Sequence, residues 1–119
     1  MIILFTGHRD KQASREQLDD IHKQFPGAIW MQGGALGFDF QVQEFAWEHH
    51  ILVKTIKPDY IHHEPKVAPL VRDRIMVDQA DLVVACYDGR QRGGTYYTVN
   101  YARSKGKHIV FLTPKRILD

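Results

Sequence analysis

Cysteine is nearly missing from this 119-residue chain: Cys86 stands alone. That excludes an internal disulfide and fits the reducing cytoplasm, where the protein is expected to reside. Long apolar runs are lacking too, none approaching the roughly 20 residues that a membrane helix needs. The chain opens directly on Ile2-Ile3-Leu4-Phe5, without a basic lead-in or a small-residue cleavage site, so no secretory signal is expected. Nor is there a surplus of one charge. The net charge is +2 with Lys and Arg scattered rather than bunched, which argues against nucleic acid as a partner. H-E-x-x-H and C-x-x-C spacings are absent. The pairs His49-His50 and His62-His63 are neighbours whose side chains diverge on a helix or strand, so no metal is expected. The first strand runs into Gly7-His8-Arg9 rather than G-x-G-x-x-G, which removes the usual NAD-dependent dehydrogenase and leaves no cofactor to expect.

What is present is an ordinary globular composition, 44% hydrophobic and 25% charged, with a length that suits one domain over residues 1–119. Ile2 to Thr6 is a continuous apolar run, the mark of a strand covered on both faces. Ser14 with Gln17 has the pattern of a capping box, and Leu18, Ile21 and Phe25 recur at helical spacing until Pro26-Gly27. A second strand, Ala28 to Met31, leads to a helix with Val42, Phe45 and Ala46 on one stripe, ending near His50. Ile51 to Ile56 reads as a third strand. Pro58, Pro65 and intervening polar residues make 57–68 an irregular loop of the kind that often serves as a lid. Pro69 opens a third helix expected to carry Val71, Ile75 and Met76 inward. Asp81 to Cys86 is a fourth strand, Gly106 ends a fourth helix, and Lys107 to Leu112 is a fifth strand. Such alternation implies a three-layer α/β domain, its five-stranded parallel sheet in the order 3-2-1-4-5 with helices on both faces.

Two glycine turns stand out. Gly33-Gly34-Ala35-Leu36-Gly37 and Gly93-Gly94-Thr95 each follow a strand and open a helix. There glycine lets backbone N–H groups approach an anion, and the helix end carries partial positive charge. In the expected topology both turns, with Gly7-His8-Arg9, lie at the carboxyl edge of the sheet, where ligands bind. Arg9 and Arg72 are candidate phosphate partners, although Arg72, beside Asp73 and Arg74, equally suits a structural salt bridge. Asp39 is either a favourable charge at a helix start or a carboxylate acting on ribose or a glycosidic bond. Tyr87, just past a strand end, is the candidate to stack on a base. Tyr96, Tyr97 and Tyr101 suit the core or an interface, and Cys86 suits a buried hydrophobe rather than a nucleophile.

Taken in order, Thr6-Gly7-His8-Arg9, Gly33 to Asp39, Arg72-Asp73-Arg74-Ile75-Met76, Ala80 to Val84, Gly93-Gly94-Thr95 with Ala102, and Gly106-Lys107 resemble the SLOG superfamily. That Rossmann-like group includes the Lonely Guy phosphoribohydrolases and DprA, and the chain is most similar to its small stand-alone bacterial and phage members. The resemblance implies a nucleotide-type ligand across the two glycine loops, often in a homodimer. Lonely Guy enzymes cleave the N-glycosidic bond of nucleoside monophosphates with an Arg, which Arg72 matches, and a Glu shortly after the Gly-Thr pair. Here Tyr96, Tyr97, Thr98, Val99 and Asn100 follow Thr95, and an amide cannot take a proton as a carboxylate does. Hydrolysis would then need Asp39 or Asp88 to supply the missing group. The leading expectation is a nucleotide-binding module; the alternative is an N-glycoside hydrolase or transferase, Lonely Guy or deoxyribosyltransferase-like, with Asp39 and Arg72 catalytic. A nucleic-acid module by analogy with DprA is the weaker third.

Overall fold

The computed structural model describes residues 1–117. Its main sheet comprises β1 (Ile2–Gly7), β3 (Ile29–Gln32), β4 (Val53–Thr55), β5 (Leu82–Cys86) and β6 (Ile109–Leu112), all parallel, in the order β4-β3-β1-β5-β6. Counted over these five strands, that is the expected 3-2-1-4-5. The sequence pattern missed a second, two-stranded antiparallel ribbon of β2 (Lys11–Gln12) and β7 (Lys115–Arg116). Two residues a strand are too few to leave a periodic signal.

Four helices cover the two faces: α1 (Arg15–Gln24), α2 (Phe38–Glu48), α3 (Ala68–Gln79) and α4 (Gly93–Ser104). Alternation along β1 divides the core. Ile3 and Phe5 point into a layer with Leu18, Trp30, Phe38 and Val42, whereas Leu4 points into one with Met31, Met76, Val77 and Ala102. The first layer is aromatic at its centre, with Phe5 and Trp30 at 4.3 Å and Trp30 stacked on Phe45 at 5.5 Å. At the start of α1 the Ser14–Gln17 capping box forms in both directions. No helix among the described residues is long and apolar enough to cross a membrane.

One expectation about packing fails. On α3, Ile75 is 44% exposed and Val71 only half-buried, while Met76, Val77 and Asp73 face inward. Met76, Val77 and Ala80 form the inward stripe, and Asp73 on the same face turns in to meet Arg72, which leaves Ile75 outside.

Gly37 closes the turn between β3 and α2. Its φ of +74° with ψ of −121° is a conformation that side chains rarely allow. A Cβ there would also lie 2.3 Å from the Arg9 carbonyl oxygen. Gly37 is thus the point where the Gly33–Gly37 turn packs on the turn after β1. Gly37→Ala is expected to lower stability by about 2–4 kcal/mol, strain and overlap acting together. Gly89→Ala, also at positive φ but in open space, should cost only about 1 kcal/mol, near the low end for such strain. Urea denaturation of the two variants checks the contrast, and equal losses would contradict it.

Candidate functional site

The turns after β1, β3 and β5 meet at the carboxyl edge of the sheet and enclose a cleft of about 670 Å³. Gly7, His8, Arg9, Gly33, Ala35, Asp39, Arg72, Gly93, Gly94 and Thr95 all line it, so most of the residues singled out in the sequence come together. Gly34 and Gly37 do not line it, and neither does Tyr87. Tyr87 packs its ring against His8 at 5.6 Å and donates its hydroxyl to the Arg90 carbonyl at 2.5 Å. The base-stacking role expected of it has no geometric support.

The two glycine turns are not equivalent. Around Gly33–Gly37 several amides are already spoken for within the chain, although α2, like α4, has no side-chain cap. Gly34 N–H donates to Gln32 Oε1, Ala35 N–H to Asp39 Oδ2 at 3.1 Å, and Phe38 N–H to the His8 carbonyl at 3.3 Å. At α4 no amide of the turn has such a partner among the described residues. Arg92 precedes it in an extended conformation, and no side chain caps the helix. Gly93, Gly94 and Thr95 therefore present first-turn N–H groups that have no partner among the described residues. Gly93, at φ +87° with nothing within 4 Å of the position a Cβ would take, is what lets the chain turn so tightly into the helix. Of the two turns, the second is the one with every leading amide open to the cleft.

Arg72 is likewise committed to structure. Its Nη1 donates to the carbonyls of Gly33 (2.7 Å) and Ile56 (3.1 Å), and its Nε donates to Asp73 at 2.8 Å. Only Nη2 makes no hydrogen bond among the described residues. Arg9 and Arg92, both exposed on the cleft, form no ion pair among them either. Arg92 escaped the sequence pattern, although its place immediately before Gly93-Gly94-Thr95 was the available signal. Arg90 and Asp73 line the cleft too and were also missed. Arg90 bridges Asp10 (3.0 Å) and Asp88 (2.6 Å), fastening the turn after β1 to the loop after β5. His8 lies under this bridge. Burial, reinforced by Arg90, lowers its pKa, and the neutral ring accepts the Asp88 N–H at 3.2 Å.

The carboxylates divide by environment. Asp88, hydrogen-bonded by Arg90, is held well below the usual carboxylate range and does not line the cleft, so it is no proton acceptor. Asn100 donates to the Tyr96 carbonyl on the exposed side of α4. Asp39 differs from both: burial pushes its pKa up to about 6, against the pull of the Ala35 N–H and Arg72. Burial also raises Asp73, outweighing its ion pair with Arg72. Cys86 is buried within β5 with its thiol pushed up to about 12, which leaves it inert as a nucleophile.

A family model described as "YAcAr: YspA, cpYpsA-related SLOG family" matches residues 1–63, more than half of the chain. The chain belongs to the SLOG family. The matched segment carries β1 to β4 and the first two turns; the turn at α4 lies beyond it. Solved structures extend the likeness to this second half. The DNA processing protein A (DprA) from Streptococcus pneumoniae aligns over 98% of this SLOG chain with a TM-score of 0.68 at 17% identity. The chain spans only about half, 51%, of that protein. TM1055, a structural genomics target, aligns over 91% of this chain and 71% of its own with a TM-score of 0.64 at 20% identity. At such identities the likeness is one of fold. No curated protein matches the chain.

The raised pKa of Asp39 carries a sign that can be checked. Because the folded state holds this proton to higher pH than the unfolded chain does, stability associated with it is present at low pH. It is lost as pH rises from about 4 through about 6. Asp39→Asn keeps an oxygen to accept the Ala35 N–H but has no charge to bury. The variant should therefore gain on the parent by on the order of 3 kcal/mol between pH 4 and pH 7, measured by urea denaturation across that range. Parallel pH profiles would show that the carboxyl is not perturbed.

Proposed function

We propose that this protein binds a nucleotide or nucleotide-derived ligand in the cleft, with its phosphate on the amides of Gly93, Gly94 and Thr95. The uncapped N-terminus of α4, facing a cleft with the guanidiniums of Arg9 and Arg92, is the observation that carries this. Backbone N–H groups at a helix start and free guanidiniums are the two recurring protein partners of phosphate oxygens. Membership of the SLOG family and the shared fold support a nucleotide-related ligand. The cleft volume of about 670 Å³ falls within the range of small-molecule sites. Asp39 and the Gly33–Ala35 turn then face the sugar, where a carboxylate can accept hydroxyl protons.

The burial of Asp39 favours a second reading, in which the bound nucleotide is cleaved at its N-glycosidic bond. A carboxyl with pKa about 6 can take a proton from water near neutral pH and return it, and when ionised can stabilise an oxocarbenium-like transition state. Arg72 would act there by positioning the Gly33 turn and by its charge beside Asp39.

Calorimetric titration separates these possibilities. Nucleoside 5′-monophosphates should bind at least about 100-fold more tightly than the matching nucleosides, since charge-assisted bonds to the phosphate contribute about 1.5–3 kcal/mol each. Gly94→Glu should abolish the difference, its carboxylate repelling the phosphate; because its Cβ would lie 3.8 Å from Asp73 Oδ2, urea denaturation checks that the variant remains folded. Equal binding of nucleoside and nucleotide, or binding of neither, would overturn the proposal. If the protein also hydrolyses its ligand, chromatography will show free base accumulating. Asp39→Asn should then stop its release while leaving binding within a few-fold.

A further inference from the structure

A second cavity, of about 240 Å³, adjoins the cleft and shares Ala35 and Asp39 with it. Its wall includes Phe40 and Trp47, two turns apart on one face of α2, which remain 51% and 63% exposed. Large aromatics at that exposure bury little for the fold. Three of the polar side chains at this cavity hold one another in place. Gln32, fully buried, donates its Nε2 to Gln43 Oε1 (2.7 Å) and to the Thr55 hydroxyl (2.7 Å), and that hydroxyl donates to Gln43 Oε1 at 3.2 Å. Closing this triangle locks the Gln43 amide, because its oxygen must face the two donors. Its –NH₂ group has no acceptor among the described residues, so the cavity is offered N–H donors by Gln43. Lys57, which also lines it, likewise carries three donors and no acceptor.

We propose that this second cavity is the base pocket of the nucleotide site, where the base stacks on Trp47 and Phe40 and a 6-oxopurine is preferred to adenine. The inference rests on the phosphate site proposed above, from which Asp39 and Ala35 lead directly into the pocket. Stacking on aromatic faces holds any base; the donors supply the choice. Guanine and hypoxanthine present O6 and N7 as adjacent acceptors, whereas adenine places an N6–H donor where O6 would be. Against Gln43 and Lys57 that amino group meets only other donors, and the Asp39 carboxylate at the mouth of the pocket already accepts the Ala35 N–H and faces the proposed sugar position. The pocket lies beside the start of the 57–68 loop, which places that segment next to the base.

Ligand titration of the intact protein with GMP, IMP, AMP and ribose 5-phosphate decides the matter. GMP and IMP should bind at least about tenfold more tightly than AMP. Trp47→Ala, a substitution on the surface, should weaken GMP about tenfold or more and leave ribose 5-phosphate unchanged. Gln43→Glu keeps the oxygen that Gln32 and Thr55 require but replaces the outward donor with an acceptor, and should erase the preference for GMP over AMP. If ribose 5-phosphate binds but AMP matches GMP, the base pocket is wrong while the phosphate site stands. The same conclusion follows if Trp47→Ala spares GMP or weakens ribose 5-phosphate equally. Binding of none of the four removes both proposals.

Discussion

The guanidinium of Arg72 is the constraint on which the rest of the site depends. From α3 it holds the Gly33 carbonyl after β3, the Ile56 carbonyl after β4, and the Asp73 carboxylate on its own helix. Asp73 in turn faces Thr98 of α4, whose side chain pulls against the rise in its pKa. One partly buried cation therefore braces the loops after β3 and β4 beside Asp73, which faces the helix with the open amides. Removing it would leave an unpaired buried carboxylate and two carbonyls facing a hole, the kind of loss that costs far more than the bond itself contributed. Gly33 is glycine for the same reason: a Cβ there would sit 2.8 Å from Arg72 Nη1.

Beside that brace, the two similar glycine turns differ in which of their amides are free. At the first turn, the chain's own acceptors (Gln32, Asp39 and the His8 carbonyl) take up several amides, giving a rigid wall that positions Asp39 in a dry setting. At the second, nothing in the described chain answers the helix end, and the cleft is left with partial positive charge flanked by Arg9 and Arg92. Under the proposed function, the satisfied groups beneath support the cleft and the unanswered donors above would meet the ligand.

Much of the architecture was legible in the sequence because it depends on local pattern. Strand runs, capping residues and helical stripes placed the strands of the main sheet and all the helices between them, and handedness with short connections leaves few orders for such a parallel sheet. The meeting of three turns at one edge followed from that order. What escaped depends on partners distant in sequence. Gly33–Gly37 has the composition of an anion cradle, and nothing in its own residues reveals that Gln32 and Asp39 fill it. Arg72 was readable as clamp or brace alike until the Gly33 and Ile56 carbonyls were seen around it. Ile75 lost its inward place because Met76, Val77 and Ala80, with Asp73 on the same face, form the inward stripe of α3. Tyr87 is drawn aside by the Arg90 carbonyl.

The central claim, that phosphate is held by the open end of α4 and not by the earlier glycine turn, has one direct test. Amide ¹H–¹⁵N spectra recorded while GMP is added should show the largest shifts at Gly93, Gly94 and Thr95. The Gly34 and Ala35 signals, their protons already bonded inside the protein, should move little. Large shifts at Gly34 and Ala35 with the α4 amides unmoved would contradict the account.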